Sequence, residues 1–142
     1  MISRWPRMRL SAFSFRIQPS FSKEAANMRL KSGIWVLAYV RRCHVEGVFA
    51  VIRRRGADEA GAIFIKVNRL DSTADLYGPA PQSAFDAEYP VDRAFTPAMK
   101  TMPAPDAEAE AYLVRQIRFD PDLWIIETED RAGRHFLDRL VH

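Results

Sequence analysis

Apolar runs and turn chemistry alternate along this chain, most sharply between residues 48 and 79. Val48-Phe49-Ala50-Val51-Ile52 leads into Arg53, Arg54 and Arg55, then into a connection bounded by Gly56 and Gly61, then into Ile63-Phe64-Ile65. Val, Ile and Phe suit a pleated surface, and five apolar residues in a row suit a strand covered on both faces. Glycine at each end of the connection supplies turn conformations without steric cost, while Asp58 and Glu59 favour water. The pattern predicts an antiparallel hairpin at the centre of a sheet. In its second strand Ile63, Ile65 and Val67 alternate with Phe64, Lys66 and Asn68, so one face is apolar and the other grows polar. Asp71-Ser72-Thr73 predicts a turn, and Ala74 to Tyr77 a third strand stopped at Gly78-Pro79.

A helix is predicted upstream, with Ser32 as N-cap and Ile34, Leu37, Ala38, Arg41 and Val45 at three-four spacing as the stripe that packs on the sheet. Gly47 stands where a left-handed residue closes a helix, and Trp35 and Tyr39, four apart, read as core or core-edge residues. Five prolines break residues 80–105, leaving room for a short helix over 83–88; Phe85, Tyr89, Phe95 and Met99 suggest that the segment lies against the domain. Asp106 is the expected cap of a second helix ending near Phe119, with Ala109, Tyr112, Leu113, Gln116 and Ile117 on one face and Asp120-Pro121 terminating it. Leu123 to Thr128 reads as a strong strand, residues 130–133 as a tight turn and His135-Phe136-Leu137 as its returning strand.

These elements define a single α+β domain: a mostly antiparallel sheet of four to five strands with two main helices. The 142 residues, 48% of them hydrophobic, are enough for one core. Cys43 is the single cysteine, which excludes an internal disulfide framework and a cysteine-clustered zinc site and fits a reducing cytoplasm. No apolar stretch approaches the roughly 18 residues of a membrane span, so no membrane association is expected. Residues 1–27 hold five basic residues, one acidic residue and several serines, a composition resembling a transit peptide; the plainer expectation is that Met28 is the initiator and residues 28–142 the domain.

Charge sharpens the picture once it is divided. The formal net charge is +3, but residues 28–69 carry nine basic and three acidic side chains, and residues 70–142 seven basic and fourteen acidic. The halves should attract each other, within the fold or across a homo-oligomer contact.

The stretches Met28-Arg29-Leu30-Lys31-Ser32-Gly33-Ile34-Trp35-Val36, Arg53-Arg54-Arg55-Gly56, Ala74-Asp75-Leu76-Tyr77-Gly78-Pro79-Ala80-Pro81 and Arg118-Phe119-Asp120-Pro121-Asp122-Leu123-Trp124 resemble the small alphaproteobacterial proteins grouped as domain of unknown function 1491. The resemblance covers nearly everything after Asn27 and implies a bacterial, cytoplasmic protein; it brings no activity with it.

Candidate chemistry is sparse. His44, His135 and His142 are scattered, no metal-ligand spacing exists, and Cys43 and His44 point about 100° apart on a helix, so no catalytic residue, metal or cofactor is expected. Glu127 and Glu129 share one strand face and read as its solvated side. Asp75, between apolar neighbours, requires a partner from among Arg53, Arg54, Arg55 and Arg69. Those arginines with Asp75 and Tyr77 are the candidates for an anion or partner site; strand alternation sends Arg53 and Arg55 one way and Arg54 the other, which dilutes a basic patch and argues against nucleic acid. The reading is a non-enzymatic binding or interaction module, with homo-oligomerisation as the partner expectation. The alternative is a small-molecule or nucleotide-binding enzyme with its site near the arginine hairpin, Asp75 and Tyr77.

Overall fold

The strand that decides the architecture is the last one. In the computed structural model, which describes residues 30–81 and 93–142, the elements run α1 (Ser32–Val45), β1 (Phe49–Arg54), β2 (Ile63–Asn68), β3 (Thr73–Pro79), β4 (Phe95–Pro97), β5 (Ala104–Pro105), α2 (Asp106–Phe119) and β6 (Trp124–Glu129). The sheet order is β1-β6-β2-β3-β4, with β5 beside β3. β6 therefore lies between the two strands expected to form the central hairpin. It pairs antiparallel with β1 and parallel with β2, and Ile126 stands between Ile52 and Ile65. The true hairpin is β2–β3, joining Ile65 to Tyr77 and Val67 to Asp75.

Burial explains this order. A strand apolar on both faces belongs where both faces are covered. Leu123, just before β6, and Ile125 point to one face and Trp124 and Ile126 to the other, and all four are buried. β1 carries an equally apolar run, but Phe49 and Val51 are exposed, and it forms an edge of the sheet. The sheet is mixed at its centre and antiparallel elsewhere, within the α+β domain that the sequence predicts.

The glycines of the β1–β2 connection act differently from their expected role. Neither Gly56 nor Gly61 has positive φ. A Cβ on Gly56 would fall 2.2 Å from the Asp122 carbonyl oxygen, and one on Gly61 2.4 Å from the same atom. They are small so that the chain entering β6 can pass against them. The Ala57 N–H donates to the Asp122 carbonyl at 2.9 Å, and Trp124 N–H to the Ala62 carbonyl at 2.7 Å. Gly47, by contrast, has φ of +79° and closes α1 as the sequence predicts.

The second predicted hairpin is absent. After β6 the chain turns at residues 131–133, but 135–137 form no strand. Leu137 enters the core, and the segment beyond it makes a parallel bridge at Leu140 with Phe95, closing the β4 edge. The caps shift too. Lys31 and Pro105 are the N-cap residues, and neither helix has a side-chain cap bond. The Ser32 hydroxyl instead donates to the Gly61 carbonyl at 2.6 Å, anchoring α1 to the β1–β2 connection. The possible 83–88 helix, Phe85, Tyr89 and residues 1–27 lie outside the described residues.

Two helices cover the two faces. α1 contributes Val36, Tyr39 and Cys43 to a cluster with Ile63, Ile65, Val67, Trp124 and Ile126. α2 contributes Leu113 to a smaller cluster with Phe64, Leu76, Leu123 and Ile125. Trp124, 1% exposed, packs in the larger cluster and donates its indole N–H to the Ala57 carbonyl at 2.8 Å. Trp124→Ala should cost about 3–5 kcal/mol, read by urea unfolding. A loss below about 1 kcal/mol would mean that the surrounding residues collapse into the space or that the ring is not core.

Candidate functional site

Polar chemistry gathers first on the α2 face. Lys66 on β2 and Glu127 on β6 are register partners and so project to the same side of the sheet, while Asp106 and Glu110, four residues apart on α2, face them. Lys66 is only 2% exposed. Its ammonium lies 2.6 Å from Asp106 Oδ1, bonds the Glu110 carboxylate and stands 3.8 Å from Glu127 Oε1. Arg53 forks onto Glu110 at 2.7 and 3.0 Å and reaches Glu127 Oε1 at 2.9 Å. The Asn68 amide donates to Glu127 Oε2 at 3.1 Å. Glu127 is thus a member of a charge network rather than a solvated strand residue.

The electrostatics fix the charge on Glu110 and Lys66. Hydrogen bonds from Arg53, then Lys66, hold the Glu110 carboxyl down at about 2 against its burial. Burial would lower Lys66, but Asp106 and Glu110 outweigh it and raise its pKa. Both groups stay charged near neutrality, so Glu110 is a weak base and Lys66 a weak acid there. What the cluster does is tie α2 to β1, β2 and β6.

The other candidates lie elsewhere. Arg69 meets Asp75 at 2.8–2.9 Å on the opposite face of the sheet, where Asp75 is fully buried beside Val67. Tyr77 is buried on that same face with its ring edge-on to His135, 5.1 Å between centroids. Burial lowers the His135 pKa despite the nearby Asp75, and His135 Nδ1 accepts the Leu137 N–H at 2.9 Å, so the ring is a packed, neutral group. A bulge between Ile52 and Arg54 breaks the expected alternation of the arginines. Arg53 turns to α2, the Arg55 guanidinium lies 5.3 Å over the Trp124 ring on the α1 side, and Arg54 donates to the Pro121 carbonyl at 2.6 Å. The six residues therefore do not converge: Arg53 is separated from Arg69, Asp75 and Tyr77 by the sheet.

Cavities collect little chemistry. One of about 190 Å³ lies beside α1, lined by the stacked Trp35 and Tyr39 and by Arg42, whose guanidinium is already bidentate on Asp138 at 2.9 and 3.1 Å. A more open groove of about 380 Å³ lies between α2 and β3–β4 over Phe64 and Tyr112. Burial raises the pKa of both Tyr39 and Cys43, leaving a neutral phenol and a neutral thiol. Among the described residues no group of three or more His, Cys, Asp or Glu is placed to hold a metal ion.

The surface feature that stands out is the outer face of α1. Ile34, Leu37 and Val45 are 53, 62 and 75% exposed, and Leu30, Ala38 and Arg41 are exposed with them. This is the stripe expected to pack on the sheet. The buried face is instead Ser32, Val36, Tyr39 and Cys43. Helical spacing identifies both stripes, and only contact with the sheet distinguishes them.

The charge cluster predicts an acid-sensitive fold. The folded-state pKa of Glu110, about 2, lies below its ordinary 4.5, so its stabilisation is complete above pH 4.5 and is lost as pH falls towards 2. Allowing for solvent screening, that contribution is about 1–2 kcal/mol. Glu110→Gln should be less stable at pH 7 and show a shallower loss between pH 4.5 and 2; equal acid slopes in urea unfolding of the two proteins would remove Glu110 from the brace.

Comparison with known proteins agrees with this architecture. A crystal structure of a DUF1491 family protein from Caulobacter crescentus CB15 is 35% identical, with TM-score 0.66, covering 81% of this chain and 100% of that one. The solution structure of protein Atu0922 from A. tumefaciens is 37% identical, with TM-score 0.65, covering 79% and 95%. An NMR structure of a DUF1491 family protein from the same Caulobacter strain is 37% identical, with TM-score 0.66, covering 81% and 99%. No curated protein matches the chain. The family described as "Protein of unknown function (DUF1491)" matches residues 30–138, and the chain belongs to that family.

Proposed function

We propose that this protein is a non-enzymatic protein-interaction module of the bacterial cytoplasm, and that the outer face of α1 is the surface it uses. The observation that carries the reading is the run Leu30, Ile34, Leu37, Val45, exposed along one side of a helix whose other side is already buried. Covering an apolar side chain of this size contributes roughly 1.5–3 kcal/mol, so a partner on this stripe gains what the monomer leaves unused. The groups that would serve catalysis are committed to internal pairs: Lys66 and Arg53 to Glu110, Arg69 to Asp75, Arg42 to Asp138. A free, buried Cys43 thiol suits a reducing compartment, and among the described residues no helix is long and apolar enough to cross a membrane.

The test is native mass spectrometry of the protein purified gently from its own bacterium, beside a Leu37→Asp variant. An oligomer or a complex with another polypeptide is expected, diminished by Leu37→Asp, while thermal unfolding of the two proteins stays within about 0.5 kcal/mol. A monomer that carries a reproducible small-molecule mass, unchanged by the substitution, would overturn the reading.

A further inference from the structure

The same stripe carries information about its partner, and the following deepens the interaction-module reading and rests on it. We infer that the partner is a second copy of this chain, with the two α1 helices packed antiparallel about a two-fold axis near Ala38 and Arg41.

The argument begins with self-complementarity. An isologous contact requires that when residue i meets residue j, j also meets i. Run antiparallel, the α1 stripe satisfies this along its whole length. Ile34 falls opposite Val45 of the second copy, and Leu37 opposite the aliphatic stem of its Arg41. Exposed Lys31, just before the helix, comes beside exposed Glu46, just after it. Each of these contacts occurs twice. Ala38, exposed beside Leu37, sits near the axis, where a small side chain lets the helices approach closely. The Arg41 head extends to water while its stem covers the neighbouring leucine.

Electrostatics favour this partner over others. Antiparallel helices bring the positive N-terminal end of one beside the negative C-terminal end of the other. The rim of the stripe carries both signs: Lys31, Arg41, Arg42 and Arg93 against Glu46, Glu59 and Asp138, with Lys31 near Glu59, Arg42 paired to Asp138 and Arg93 bonded to the Leu30 carbonyl. A partner of a single sign would meet like charges on this rim, whereas a second copy presents the matching mixture. α1 has 14 residues, about 21 Å of helix, so the seam is at the small end of specific interfaces and the dimer is weak and concentration-dependent.

Sedimentation velocity of the full 142-residue protein over a range of concentrations reads this directly. The expected result is a monomer–dimer equilibrium whose dissociation constant rises about tenfold or more in Leu37→Asp, with unchanged circular dichroism and thermal unfolding. Lys31→Glu and Glu46→Lys should each weaken the dimer, and their combination should restore it. Ala38→Cys should form a cross-linked dimer under mild oxidation. A wild type that stays monomeric at the highest concentration overturns the inference, as does a dimer indifferent to Leu37→Asp and to the charge reversals. The two failures separate by native mass spectrometry. A monomer holding a different polypeptide in a Leu37-dependent complex leaves the module reading intact, and a bare monomer removes both.

Discussion

The pairing of β6 with β2 is the constraint from which the rest of the structure follows. Those two strands run parallel, so the chain cannot join them by a tight turn and needs a long crossover. Residues 69–123 are that crossover, and they contain β3, β4, β5 and α2. α2, the last part of the return, lies on the face opposite α1, and β6 enters a slot covered on both sides. Gly56 and Gly61 keep the slot open at its mouth by leaving space against the Asp122 carbonyl. β1 is displaced to the edge as a consequence, with Phe49 and Val51 left in solvent.

The same insertion organises the charge. Bringing β6 beside β1 sets Glu127 within reach of Arg53, and the parallel register sets it beside Lys66. α2 then lowers Asp106 and Glu110 onto the pair. A buried ammonium is tolerable only when it is paired and hydrogen-bonded, and here carboxylates from the helix and from the neighbouring strand meet it. The basic first half and acidic second half of the chain meet in this cluster and again at Arg42 and Asp138. The arginine triplet accordingly diverges: one member joins the Lys66–Glu110 cluster, one lies over Trp124 and one is bound to a backbone carbonyl.

The fold leaves one apolar face uncovered. α1 is apolar on two sides, and the sheet can take only one. Val36, Tyr39 and Cys43 take it, packing with Ile63, Ile65 and Ile126, with the Tyr39 hydroxyl donating to the His135 carbonyl at 2.7 Å. Ile34, Leu37 and Val45 are left facing water, at positions where charged side chains would be cheaper for an isolated domain.

Local features were legible in the residues themselves. The α+β class, both helices to within a residue, the β2–β3 hairpin, the Gly47 closure of α1 and the need of Asp75 for an arginine all follow from periodicity, turn chemistry and the cost of burying charge, which act within a few residues or on one residue's environment. The place of β6 between β1 and β2 was not legible. The run from Val48 to Ile52 and the run from Leu123 to Ile126 have the same apolar character, and only the topology selects which is central. The roles of Lys66, Glu110 and Glu127 were hidden for the same reason: they are 17 to 61 residues apart, and nothing local marks them as partners. The two stripes of α1 are equally helical in period. The sequence determined which residues would seek cover, because that is a property of each side chain; the tertiary structure decided which of them found it, because the sheet offers one face to each helix and one central slot to a single strand.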